Sequence, residues 1–142
     1  MSGTHRGSCF CGAIEVETAG EPMAMGYCHC GSCQSWSGTP ITAYCLWRSD
    51  QVRFAKGEEL VGRFSRTGTT ERTFCTRCGG HLTAAMPEYG ITDVFPLLLR
   101  TLPFRPNEHV NYAEAVLRIH DGLPKYRDFP AGAGGSGELV PE

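Results

Sequence analysis

The sequence predicts a mainly β protein of short strands with cysteine-bearing turns between them, and three observations predict it. Short runs rich in β-branched, aromatic and alternating apolar residues recur along the chain. Eighteen glycines and nine prolines punctuate the 142 residues and leave long helices little room. Seven of the eight cysteines fall into tight groups, Cys9/Cys11, Cys28/Cys30/Cys33 and Cys75/Cys78, placed as turns between those runs.

The elements follow in order. Ala13-Ile14-Glu15-Val16-Glu17 largely alternates apolar with polar residues, the pattern of a half-buried strand. Further β-rich runs cover residues 39–47, 52–55, 60–65, 70–74, 82–86 and 93–99. From Ala131 the composition changes to AGAGGSGELVPE, too poor in apolar residues to pack, so residues 1–130 are expected to form a single domain and 131–142 a flexible tail.

Length and charge narrow the functions. A chain of 142 residues suits one domain with a core of its own. A net charge of −2 gives no concentrated positive surface for nucleic acid. The locally basic middle, with Arg48, Arg53, Lys56, Arg63, Arg66, Arg72 and Arg77, reads as a solvated face. The longest apolar run, residues 43–47, is far short of the roughly 20 residues of a membrane span. MSGTHRGSCF lacks the apolar stretch of an export signal, so a cytoplasmic protein without a membrane partner is expected; no feature sets an oligomeric state.

In a reducing compartment clustered cysteines are metal ligands or redox groups rather than disulfides. Zinc–sulfur bonds of about 2.3 Å at tetrahedral angles bring neighbouring sulfurs within about 4 Å of each other. The Cys-x-x-Cys turn in TFCTRCGG reaches that spacing easily, whereas GSCFCG must bend, which its flanking glycines allow. The economical partition places Cys9, Cys11, Cys75 and Cys78 around one zinc ion as a complete structural site. Cys28, Cys30 and Cys33 then form a second set of three ligands with an open position, unless Cys45, His29 or His81 closes it. Three thiolates make a poor activator of water but suit a fourth sulfur, which points to a small thiol substrate.

The order GSCFCG, CHCGSC followed by SG, TFCTRCGGHL, and later FRPNEHV and HDGLPKY, resembles the glutathione-dependent formaldehyde-activating enzyme family, which includes the centromere protein V relatives. The resemblance runs from about Arg6 to Tyr126. It implies a β-tent zinc-binding fold with two zinc ions. Cys9, Cys11, Cys75 and Cys78 match the structural ligands, and Cys28, Cys30 and Cys33 match the catalytic set. The implied activity is that of a carbon–sulfur lyase, S-(hydroxymethyl)glutathione synthase, which joins glutathione to formaldehyde reversibly or acts on a related thiol adduct. The alternative is a non-enzymatic zinc module that binds a thiol or a protein partner.

The remaining candidates have plainer readings beside their functional ones. Cys45 reads as a small buried apolar residue. His29 is placed either to give a proton to the product oxygen or to support a ligand by a hydrogen bond. His81 reads as support for the adjacent cysteine turn, and His109 and His120 as turn or surface residues. Trp36 is a wall beside the open site or simply core. Arg63 and Arg66 are candidate partners for the substrate's carboxylates.

Overall fold

The structure is a computed structural model and describes residues 3–142. It is mainly β, with ten strands and one α-helix among the described residues. Two compact units form, each from segments distant in sequence: residues through Ala24 with Cys45–Phe104, and Met25–Tyr44 with Arg105–Glu142.

The first unit holds a three-stranded antiparallel sheet of β1 (Thr4–Ser8), β2 (Glu15–Ala19) and β5 (Val52–Lys56), with β2 in the middle. The alternation seen in the sequence sets its register: Ile14 and Val16 are fully buried while Glu15 and Glu17 face outward. β1 has no apolar pattern, so its sequence does not announce a strand. It is an edge held by backbone pairing to β2 and by Arg6, which reaches Glu17 at 2.6 Å.

The same unit contains β6 (Val61–Phe64), β7 (Glu71–Cys75), β8 (His81–Met86) and β9 (Ile91–Val94), adjacent and antiparallel in the order 9-8-7-6. The last three residues of β4 (Thr42–Arg48) pair with β9, and its first three belong to the second unit. Trp47, Leu82, Val94 and Leu99 are fully buried there. A fully buried Leu82 alone is worth about 1.5–3 kcal/mol. The run at 93–99 is not one strand: Pro96 lacks an N–H for the ladder, and Pro96–Leu98 form a 3₁₀ turn instead.

Within β9, the part-buried Asp93 accepts the Cys45 N–H at 2.9 Å. Desolvation pushes its carboxyl up to about 7, with Arg72 pulling the other way. The folded state therefore keeps a proton that the unfolded chain releases near pH 4. The stabilisation is present in full below that pH and is lost as pH rises through about 7. Asp93→Asn should accordingly gain in melting temperature over the wild type as pH rises from 5 to 8. A difference that stays constant across that range would show that Asp93 is already ionised at pH 5.

The second unit is built differently. β3 (Ala24–Cys28) lies between β4 and β10 (His109–Val110), and β10 pairs with it in parallel. Helix α1 (Gly31–Ser37) follows, ended by Gly38. Tyr112 and Val110 are buried, but so are the polar His29, His109 and Lys125. Residues 131–142 turn at Ala131–Ala133 and return alongside 125–127: Glu138 O accepts from Arg127 N at 2.8 Å, and Val140 N donates to Lys125 O at 2.9 Å.

Candidate metal centres

The first centre lies wholly in the first unit. Cys9 and Cys11 sit in the turn after β1, where Gly12 takes φ +82° and its N–H donates to Cys9 O at 3.0 Å. Cys75 ends β7, and Gly79, at φ +78°, turns the chain back so that its N–H meets Cys75 O at 2.8 Å. The four sulfurs lie within 4.8 Å of one another. Cys9 and Cys11 sulfurs are 3.6 Å apart and Cys11 and Cys75 sulfurs 3.8 Å, near the edge of a tetrahedron drawn by zinc–sulfur bonds of about 2.3 Å.

Backbone donors are already aimed at these sulfurs. Cys9 Sγ accepts from Ile14 N at 3.3 Å, Cys75 Sγ from Arg77 N and Cys78 N at 3.3 and 3.4 Å, and Cys78 Sγ from Gly80 N at 3.4 Å. The Gly80 N–H brings the Cys78 thiol down to about 6. None of the eight cysteines is in a disulfide. Sulfurs gathered without a bond and supplied with N–H donors fit a thiophilic dication such as zinc.

In the second unit Cys28 ends β3, Cys30 caps α1 and Cys33 lies in its first turn. The cap brings two ligands together, since Cys30 Sγ accepts the Cys33 N–H at 3.3 Å. The three sulfurs are within 4.8 Å of one another. Among the described residues no other His, Cys, Asp or Glu ligand atom joins this set, so neither Cys45, His29 nor His81 does. Hydrogen bonds to Cys30 and Cys33, together with burial, push the Cys28 thiol far above its ordinary range. Three thiols so crowded hold their protons until a dication replaces them. This donor set also fits zinc.

Behind Cys28 and Cys30 runs a polar chain, buried at His29, His109 and Lys125 and exposed at Asp121, that sequence reasoning did not assemble. His29 Nε2 and His109 Nδ1 are 2.8 Å apart, and His109 Nε2 donates to Asp121 Oδ2 at 2.8 Å. Against the desolvation that burial imposes, Lys125 and His109 hold Asp121 ionised, well below the usual carboxylate range. Lys125 is hydrogen-bonded to Asp121 and reaches Glu142 at 2.7 Å. Burial above all, with the charge of Lys125 adding to it, brings His29 down to about 4, so its ring is neutral near pH 7. The motifs FRPNEHV and HDGLPKY carry His109, Asp121 and Lys125 and were the available signal, but no spacing rule ties residue 109 to residue 29.

Other candidates take clear positions. Cys45 is fully buried in the first unit and belongs to neither centre. His81 packs at 5.7 Å from the Phe95 ring and lines a cleft of about 600 Å³ with Ser8, Phe10 and Arg100. His120 is exposed and Trp36 half-buried on α1. Arg63 is engaged by Glu71 at 2.9 Å and Glu58 at 3.8 Å.

The family model described as glutathione-dependent formaldehyde-activating enzyme matches residues 4–101, which include all seven clustered cysteines. The chain belongs to that family. An uncharacterized lyase of Schizosaccharomyces pombe is 31% identical over 75 residues, 53% of this chain, and the chain spans about half (53%) of that relative's length. A crystal structure of a Rhodobacter sphaeroides protein is similar at a TM-score of 0.58 and 22% identity, covering 69% of this chain and 90% of that one, a likeness of fold alone. The family match ends before His109, Asn111 and Asp121, so part of what surrounds Cys28 lies beyond it.

Proposed function

We propose that this member of the family is a carbon–sulfur lyase that joins a small thiol, glutathione, to formaldehyde, with Cys28, Cys30 and Cys33 as the working metal ligands and Cys9, Cys11, Cys75 and Cys78 as the structural set. The observation that carries the reading is the set of three sulfurs that no fourth His, Cys, Asp or Glu ligand atom joins among the described residues. A zinc ion held there would supply a position at which an incoming sulfur stays ionised near neutral pH.

The chain's own residues do the rest. Cys28 and Cys30 are fixed at a strand end and a helix cap, so the three sulfurs present one geometry before substrate arrives. The His29–His109–Asp121 chain braces the intervening residue from behind. In the net reaction the thiol sulfur bonds to the carbonyl carbon, the π pair moves to oxygen, and the thiol proton ends on that oxygen. The reverse step balances in the same way: the carbon–sulfur bond breaks, the carbonyl re-forms, and the hydroxyl proton returns to sulfur.

Cobalt-substituted protein tests this reading. Glutathione should add near-ultraviolet sulfur-to-metal absorption, and S-methylglutathione should not. The response should weaken at low pH, because the incoming sulfur must lose a proton. In parallel, the zinc protein should form S-(hydroxymethyl)glutathione from formaldehyde faster than the uncatalysed reaction. A spectrum unmoved by saturating glutathione would sink the proposal. A spectral response without acceleration would make the protein a thiol-holding zinc module.

A further inference from the structure

Asn111 is the one non-glycine residue with positive φ among the described residues, at 55°. It directly follows β10, whose Val110 stands opposite Cys28 in the parallel register. Asparagine visits this region more easily than most residues because its short amide finds local partners. Here the partner is distant in sequence: Nδ2 donates to Cys28 Sγ at 3.4 Å. The backbone is tied on both sides, with Asn111 N donating to Asp128 O at 2.7 Å and Asn111 O accepting from Glu114 N at 3.0 Å. A left-handed residue pinned in this way holds its side chain against one sulfur.

We infer that Asn111 is a positioning residue of the Cys28/Cys30/Cys33 centre, donating a hydrogen bond that draws charge from the Cys28 thiolate and shields this ligand from the electrophile the enzyme handles. The inference rests on the function proposed above. Formaldehyde adds to any reactive thiolate, the sulfur bonding to carbon while the carbonyl oxygen takes a proton. A centre that works on this aldehyde must keep its ligand sulfurs less reactive than the substrate's. Three thiolates with one dication carry a net charge of about −1, and an N–H donor against one sulfur lowers the reactivity of that sulfur's lone pair. Cys30 has a comparable donor in the Cys33 N–H. For Cys28 the donor is a side chain, and a side chain can be removed.

The test uses the full zinc-loaded chain with two variants. Asn111→Gly keeps the left-handed backbone and deletes the amide. Asn111→Asp keeps the shape and the tolerance of positive φ but puts an acceptor where the donor stood. With iodoacetamide as the electrophile and peptide mass spectrometry as the readout, Cys28 should be alkylated about tenfold faster in Asn111→Gly, the order expected from losing one hydrogen bond to a charged acceptor. Asn111→Asp should be at least as reactive, and in both cobalt-loaded variants the charge-transfer band should move to lower energy. A purely structural Asn111 would leave Asn111→Asp like the wild type. Unchanged Cys28 alkylation and an unmoved band in Asn111→Gly, with two metal ions bound, would overturn the inference and leave the proposed function standing. Wild-type protein that binds only one metal ion would overturn both.

Discussion

Replacing Cys75 with serine is expected to leave the protein unfolded or insoluble. Cys75 is fully buried, and its sulfur lies 3.8 Å from that of Cys11, in a turn 64 residues away. One ion bound by Cys9, Cys11, Cys75 and Cys78 would tie the turn after β1 to the end of β7. Structural zinc in small domains contributes binding free energy of about 10–16 kcal/mol that is also folding free energy. That is comparable with the entire stability of a typical domain, about 5–15 kcal/mol. The measurements are soluble yield, zinc content and thermal melting. A soluble Cys75→Ser protein that melts with the wild type would show that this cluster is not the clasp.

Cys30→Ser should behave in the opposite way, losing activity and one metal ion while the fold persists. The local reason is specific to this position. Cys30 is the N-cap of α1 and its side chain accepts the Cys33 N–H. Serine is among the best N-cap residues, so the substitution keeps the capping hydrogen bond while replacing the thiolate. Far-ultraviolet circular dichroism should be unchanged, the melting temperature within a few degrees of wild type, and the zinc content one ion per chain instead of two. The cobalt response to glutathione should be gone. If Cys30→Ser abolishes folding as completely as Cys75→Ser, the division into a structural and a working centre is wrong.

The legible parts of the fold were those with a local cause. The alternation around Ile14 and Val16 marked β2, and the Cys-x-x-Cys turn with its glycines marked the chain reversal after β7. β1 and β3 escaped because neither carries an apolar alternation: the first is a charged edge, the second AMGYC with a glycine at its centre. Helix α1 is seven residues of GSCQSWS with no buried residue, so no helical period exists to read. Composition at 131–142 shows few apolar residues but cannot show that Asp121 N, Gly122 N and Lys125 Nζ find the Glu142 carboxylate.

By itself the sequence determined the three tight cysteine groups and offered one economical partition of them, because metal–sulfur bond lengths restrict which near neighbours can share an ion; that the Cys9/Cys11 turn meets the Cys75/Cys78 turn, 64 residues on, is the work of the fold. The sequence also determined that strands dominate, since alternation and turn residues are properties of neighbours in the chain. Only the tertiary structure decided what surrounds Cys28. The two-residue parallel pairing of β10 with β3 brings residues 109–111 beside residues 27–29. From that pairing follow the His29–His109–Asp121 chain and the Asn111 hydrogen bond. A parallel pair so short leaves no period in the sequence, and contacts across about 80 positions depend on how the whole unit closes rather than on any local preference.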